Sequence, residues 1–287
     1  MRIAVAVSGF LIGLTAAAAA QDVCEPGPNS NEAQLFARMA VPLAFGPAQA
    51  PEVLQPGLVR LALEVAYLPD IPDEIATPTI CRPNKPPENV NLLSAMPRPR
   101  VQVGLGAGWV AEGSWVPPVT VNDVKANLFG VSLARTIAAG PEGSALAVRG
   151  HATFGTIKGP FTCPEDELSN PDNPDCFGGE NPSEDTYKPT TFGVEAEYAL
   201  SAAAGRLRPY AGIGYNRLEP RFDVGFTYAG GAVDNTEVKV GLDRMTLFGG
   251  LTWIPSGHFA ASAEVYSAPE DVATVRVLGR YALGGED

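Results

Sequence analysis

The segment Val272–Leu283 alternates strictly. Val275, Val277, Gly279, Tyr281 and Leu283 fall on one face, and Thr274, Arg276, Leu278, Arg280 and Ala282 on the other. Successive side chains of a strand point to opposite sides, so one face here is apolar and the other carries two arginines. The stretch before it repeats the pattern, with Phe259, Ala261, Ala263 and Val265 set against Ser262, Glu264 and Tyr266. Two folds accommodate such strands. A soluble sandwich buries the apolar face and leaves the charges in water. A membrane barrel turns the apolar face to lipid and the charges inward.

The same alternation recurs along the chain. In Leu58–Leu68, Val59, Leu61, Leu63, Val65 and Tyr67 oppose Arg60 and Glu64. Trp109, Ala111, Gly113 and Trp115 oppose Glu112 and Ser114; Leu146, Val148, Ala152 and Phe154 oppose Arg149, His151 and Thr153. Phe192, Val194, Ala196, Tyr198 and Leu200 oppose Glu195 and Glu197, and Leu207, Ala211, Ile213 and Tyr215 oppose Arg206, Arg208 and Tyr210. Ten such strands can be counted, with eight or twelve as the neighbouring even numbers. Most reach the roughly 9 to 11 residues that a tilted strand needs to cross a bilayer. Connections at 106–108, 138–143, 203–205 and 255–257 are short, whereas 69–97, 158–189 and the hairpin tip at 230–236 are long. Short turns on one side and long loops on the other are the outer-membrane arrangement.

One hairpin departs from the pattern. Its apolar positions become even at Phe222, Val224, Phe226 and Tyr228, and again at Val238, Val240 and Leu242, whereas Met245, Leu247, Leu251 and Trp253 are odd. Either a pair of β-bulges shifts both strands, or the hairpin leaves the membrane there as a soluble arm.

The chain opens with Met1-Arg2, an apolar run from Ile3 to Leu14, and the small residues Ala16–Ala20. This predicts a signal peptide over 1–20, too short in its apolar core to span as a helix. Residues 21–57 have little strand character and hold a short helix near Glu32–Met39. They read as an extension that plugs the barrel or lies beneath it, with the barrel itself at 58–287. No later stretch is apolar enough for a transmembrane helix. The formal net charge of −12 argues against nucleic acid, which needs clustered Lys and Arg. The partner implied by the apolar faces is outer-membrane lipid, and any small solute or surface ligand is left unidentified.

Four cysteines in an exported chain suggest two disulfides with three pairings. Cys163 and Cys176 share one loop and close a short ring, which leaves Cys24 with Cys81. The second bridge is demanding, because an extension that starts in the periplasm must thread the lumen to reach an outer loop.

The phrase Arg208-Pro-Tyr-Ala-Gly-Ile-Gly-Tyr215, the short turns and the closing amphipathic strand together resemble outer-membrane β-barrel proteins of the broad opacity-like and porin-like kind. The resemblance covers residues 58 to 283 and departs from that kind at the end, where the chain overshoots Tyr281 and Leu283 by Gly284-Gly-Glu-Asp287. It implies an all-β, antiparallel, up-and-down transmembrane barrel in the outer membrane of a Gram-negative-type bacterium. It supplies no catalytic residue.

The predicted inward face carries Arg60, Arg149, Arg206, Arg208, Arg276 and Arg280 against Glu64, Glu112, Glu195, Glu197 and Glu264. Unpaired charges in a narrow interior are costly, so these must balance. Neighbouring strands predict Glu195 and Glu197 on Arg206, Arg208 or Arg149, and Glu264 on Arg276 or Arg280. Closure would bring Arg276 and Arg280 beside Arg60 and Glu64. The result is either a filled interior or a narrow charged channel. The acidic loop 163–188 raises surface recognition or adhesion as an alternative, and a soluble secreted sandwich is the third reading. The two histidines, His151 and His258, have no nucleophile-and-base arrangement around them, and no cofactor or metal spacing is present. The expectation is a non-enzyme.

Overall fold

A computed structural model describes residues 22–140 and 144–283. The predicted signal peptide lies outside these residues. Ten antiparallel strands form one closed barrel: β1 Val59–Tyr67, β2 Ala95–Gly106, β3 Trp109–Val116, β4 Val124–Ala139, β5 Ala145–Gly159, β6 Thr191–Ala199, β7 Leu207–Leu218, β8 Leu242–Trp253, β9 Phe259–Ala268 and β10 Val272–Leu283. Each strand pairs with its sequence neighbours, and the ring closes where β10 pairs with β1, from Arg276↔Ala66 to Leu283↔Val59. No edge is left unpaired in the ring, which removes the aggregation liability of an open sheet.

The faces are sharply divided. Val194 is 61% exposed while its neighbour Glu195 is 4% exposed. Leu61, Val148, Leu247, Leu251, Val275 and Val277 are likewise exposed on the outside, and no second sheet among the described residues covers them. The soluble-sandwich reading therefore fails, because its apolar faces would have to meet each other. Aromatic side chains gather at two levels. Tyr67, Trp115, Phe129, Phe154, Phe192 and Tyr215 lie toward the strand ends that carry the long loops, here the outer end. Tyr198, Trp253, Phe259 and Tyr281 lie toward the short turns, the inner end. Two aromatic girdles around an apolar band are what a transmembrane barrel presents to the two interfaces.

At the outer end four strands run on past the apolar band. The β7–β8 pairing continues from Leu218↔Leu242 to Arg221↔Lys239, Phe222↔Val238 and Asp223↔Glu237 with no register shift. Asp185–Lys188 extends β6 in the same way, pairing with β5 on one side and Arg221–Asp223 on the other. The bulge explanation of the hairpin is therefore wrong. Even-numbered residues point inward throughout the hairpin; what reverses is the chemistry of the two sides. Within the band the outside is lipid and the inside carries charge. Above it the outside is water, and Phe222, Val224, Phe226, Val238, Val240 and Leu242 turn inward into an ordinary apolar core.

That core is completed by helix α1, Asn31–Leu43, whose Leu35, Phe36, Ala37, Ala40, Val41 and Leu43 are buried. The predicted helix is thus one turn short at its C-terminal end. Ser30 caps the N-terminus, accepting from the Ala33 N–H at 3.1 Å, which satisfies one of the unpaired donors of the first turn. The helix enters from the outer end and points its C-terminus down the barrel. Residues 44–57 continue to the inner end, where the Gly57 N–H donates to the Gly104 carbonyl at 2.8 Å before β1 begins. Cys24 consequently sits at the outer end, not in a segment that starts at the inner one.

Candidate functional site

Among the described residues, the lumen holds the largest cluster of buried charge. Its centre is the end of α1. A helix C-terminus leaves four carbonyls without intrahelical partners and carries the negative end of the helix dipole. The last turn of α1 contains no basic residue; the barrel wall supplies the cations. Arg98 donates to the Leu43 carbonyl at 2.7 Å and the Ala44 carbonyl at 3.4 Å. Arg276 donates to Val41 at 3.3 Å and Ala44 at 3.0 Å. Arg149 reaches the Phe45 carbonyl at 2.5 Å, and Arg100 the Gly46 carbonyl at 3.0 Å. The Phe45 ring lies beneath three guanidiniums, with Arg100, Arg149 and Arg98 at 4.3, 5.0 and 5.6 Å from its centroid. Their attraction to the ring face adds to the hydrogen bonds. A Cβ at position 46 would displace the Arg276 guanidinium and crowd the Tyr266 ring.

Carboxylates complete the network from the wall. Glu64 pairs with Arg100 and approaches Arg98 at 3.8 Å. Glu112 takes Arg100 in a two-point contact at 2.8 Å each and Arg149 at 3.5 Å. Glu195 meets Arg149 at 2.9 Å and His151 at 3.4 Å, and accepts from the Tyr266 hydroxyl at 3.2 Å. Glu264 meets Arg276 at 3.5 Å, while accepting from the Ala48 N–H at 3.0 Å and the Tyr210 hydroxyl at 3.1 Å. Lower down, Glu52 of the descending segment gathers Arg60, Arg280 and, at 3.4 Å, Arg208. Below it a void of about 360 Å³ opens at the inner mouth, lined by Glu52, Arg60, Arg206, Arg208, His258 and Arg280 among others.

Ten of the eleven charged residues singled out from the sequence point inward. Arg206 does not: it is exposed, in the turn before β7, where the strand has not yet begun. Glu197 points inward but forms no ion pair among the described residues, and its Oε2 meets no donor. Arg208, expected on Glu195 or Glu197, goes to Glu52 instead. Arg60 and Arg280 share Glu52 rather than meeting Glu64. The cysteines form Cys24–Cys81 and Cys163–Cys176 bridges.

Sequence reasoning missed Glu52, Phe45, Arg98 and Arg100. The two arginines carried a readable signal: Met96, Arg98, Arg100 and Gln102 alternate with Pro97, Pro99 and Val101, and the first set is buried. Glu52 and Phe45 carried none, because they lie in a segment without regular structure.

The outer loops are tied to one another. Glu32 of α1 accepts from the N–H groups of Thr79, Ile80 and Cys81 at 2.8, 2.6 and 2.9 Å. Burial pushes its pKa up, but these backbone bonds outweigh it and hold the carboxylate below its ordinary range. Asp185 accepts from the Thr162 N–H at 2.7 Å, the Ser183 hydroxyl at 2.7 Å and the Gly225 N–H at 2.9 Å, so it joins three segments. Lys85 pairs with Asp175 across two loops. Cys24–Cys81 fastens the start of the plug to the same cap.

The fold and this interior define a plugged, transmembrane, antiparallel β-barrel of the outer-membrane type. No protein-family model matches the chain, and no curated protein does. Among solved structures, it is similar to the outer-membrane protein Ail of Yersinia pestis in a phospholipid nanodisc. That match has 11% identity over 79% of this chain and 99% of Ail, with a TM-score of 0.33. Omp33 of Acinetobacter baumannii matches at 7% identity over 82% of this chain and 100% of its own, with a TM-score of 0.30. A loop-deleted OmpT of Vibrio cholerae matches at 14% over 68% and 56%, with a TM-score of 0.27. At these values the likenesses carry no argument, and the barrel rests on its own strand pairing.

Proposed function

We propose that this protein is a non-conducting outer-membrane barrel whose plug holds it closed, a scaffold for the cap at its outer end. One observation carries the reading. The arginines that would line a charged channel are engaged by the plug, through the carbonyls of Val41, Leu43, Ala44, Phe45 and Gly46 and through Glu52. Above them, α1 and the outer core close the barrel with apolar side chains. A narrow ten-stranded barrel has an interior close to the size that side chains alone fill. The plug is also held at both ends, by Cys24–Cys81 above and by the chain entering β1 below. Planar-bilayer recording of the intact protein tests this: no channel steps above leak are expected, and steady ohmic steps would overturn it.

A second reading gives the cap a recognition role. Two disulfides, the Lys85–Asp175 pair and the hub at Asp185 order the outer loops more than a passive barrel requires. The loop at 163–188 is strongly acidic, with a single basic residue, Lys188, at its end, so a cationic surface is the complementary partner. Salt-dependent binding of nanodisc-embedded protein to immobilised polylysine supports this reading; no binding at low salt removes it. We assign no catalytic role to the chain.

A further inference from the structure

Every buried arginine of the lumen and cap meets a carboxylate or a backbone carbonyl. The half-buried Arg38 of α1 stands apart from them. It forms no ion pair or hydrogen bond with the described residues, and its Nε is buried without an acceptor. A buried donor left unmade loses its hydration and gains nothing in return. Arg38 lines a cavity of about 60 Å³ between α1 and the outer segment 68–93. The rest of the lining is almost wholly apolar, including Met39, Leu43, Ile71, Leu92 and Phe161. Its other polar member, Asn91, is already occupied, since its amide donates to the Ile71 carbonyl at 2.9 Å and accepts the Ile71 N–H at 2.8 Å. The lining thus offers hydrocarbon walls and one cation whose Nε donor is buried and unused.

We propose that this cavity is a binding site for a short-chain alkyl carboxylate, with the carboxylate on the Arg38 guanidinium and the chain against Met39, Leu43, Ile71 and Leu92. The charge selects an anion, and a guanidinium matches a planar carboxylate with two parallel bonds. The volume limits the chain. A cavity of this size holds about four water-sized groups, so roughly four carbons beyond the carboxylate fill it. Each buried methylene strengthens binding about fourfold, so affinity rises steeply from acetate to pentanoate and flattens for longer chains, which must project outside or displace the loop.

The test is calorimetric titration of nanodisc-embedded protein with acetate, propanoate, butanoate, pentanoate, hexanoate and octanoate, with empty nanodiscs as blank. 1-Pentanol and pentyl phosphate are the comparison probes. The expected result is the rise and plateau just described, with pentanoate bound at least tenfold more tightly than pentanol. R38Q, checked for folding by heat-modified gel migration, should lose at least tenfold for pentanoate while its pentanol affinity stays the same. M39W, which fills the cavity from another position, should abolish both. Equal affinity for pentanol and pentanoate, wild-type binding by R38Q, or heats no larger than the blank would overturn the proposal. Tighter binding of pentyl phosphate than of pentanoate would overturn the carboxylate assignment.

Discussion

Replacing Glu195 and Glu197 separately with glutamine distinguishes an ion-paired carboxylate from a buried carboxyl without a partner. Both lie on β6, two residues apart, with side chains pointing inward and almost wholly buried. Glu195 sits directly across from Arg149 in the β5–β6 ladder, 2.9 Å away, and also touches His151 and Tyr266. Breaking a buried pair costs about 3 to 5 kcal/mol. Arg149 would keep the Phe45 carbonyl at 2.5 Å and Glu112 at 3.5 Å, so E195Q belongs at the low end, about 3 kcal/mol. At roughly 2 °C per kcal/mol for a chain of this size, the melting temperature falls by about 6 °C. Glu197 has no such partner, so replacing its carboxyl with a neutral amide breaks no ion pair and removes any cost of burying a charge there. E197Q is therefore expected to fall within about 0.5 kcal/mol of wild type, or to stabilise. The assay is the temperature at which the folded barrel converts to its unfolded gel migration in detergent. Equal losses for the two variants, or a larger loss for E197Q, would refute the assignment of partners inside the barrel.

Two further expectations follow from the cap. Glu32 has a folded-state pKa below its unfolded value, so its contribution is fully present above the ordinary carboxylate range and is lost as pH falls through the folded value. Amide protection at Thr79, Ile80 and Cys81, corrected for intrinsic exchange, should drop on acidification in the wild type. In E32Q it should start lower, by about 1 to 3 kcal/mol for the weakened acceptor, and show little further pH dependence. Cys24 and Cys81 are 57 residues apart, and a ring of that size restricts the unfolded chain by about 4 kcal/mol in the entropic account. Replacing both with serine should lower the melting temperature and loosen α1, and unreduced peptide maps of the wild type should show the Cys24–Cys81 linkage; free thiols at those positions would contradict it.

The ten strands, their directions and their two faces were legible in the chain, because a period of two is local and each residue of a strand reports the medium it faces. Val194 beside Glu195, or Val275 beside Arg276, is enough to separate lipid from lumen. The choice of partner was not legible. Whether Arg208 meets Glu197 or Glu52 depends on the path of the plug, and the strand pattern says nothing of a segment that has no period. The carbonyls of Val41, Leu43, Ala44, Phe45 and Gly46 leave no mark in the sequence at all, since every residue has one; only the packing of α1 against Arg98 and Arg276 makes them acceptors. The hairpin at 218–242 shows the limit most clearly. Its sequence recorded a change of apolar parity correctly, but a shifted strand and an unshifted strand passing from lipid into water give the same pattern. Only the unbroken register from Leu218↔Leu242 to Asp223↔Glu237 identified the second, because register is a relation between two strands and cannot be read from either one alone.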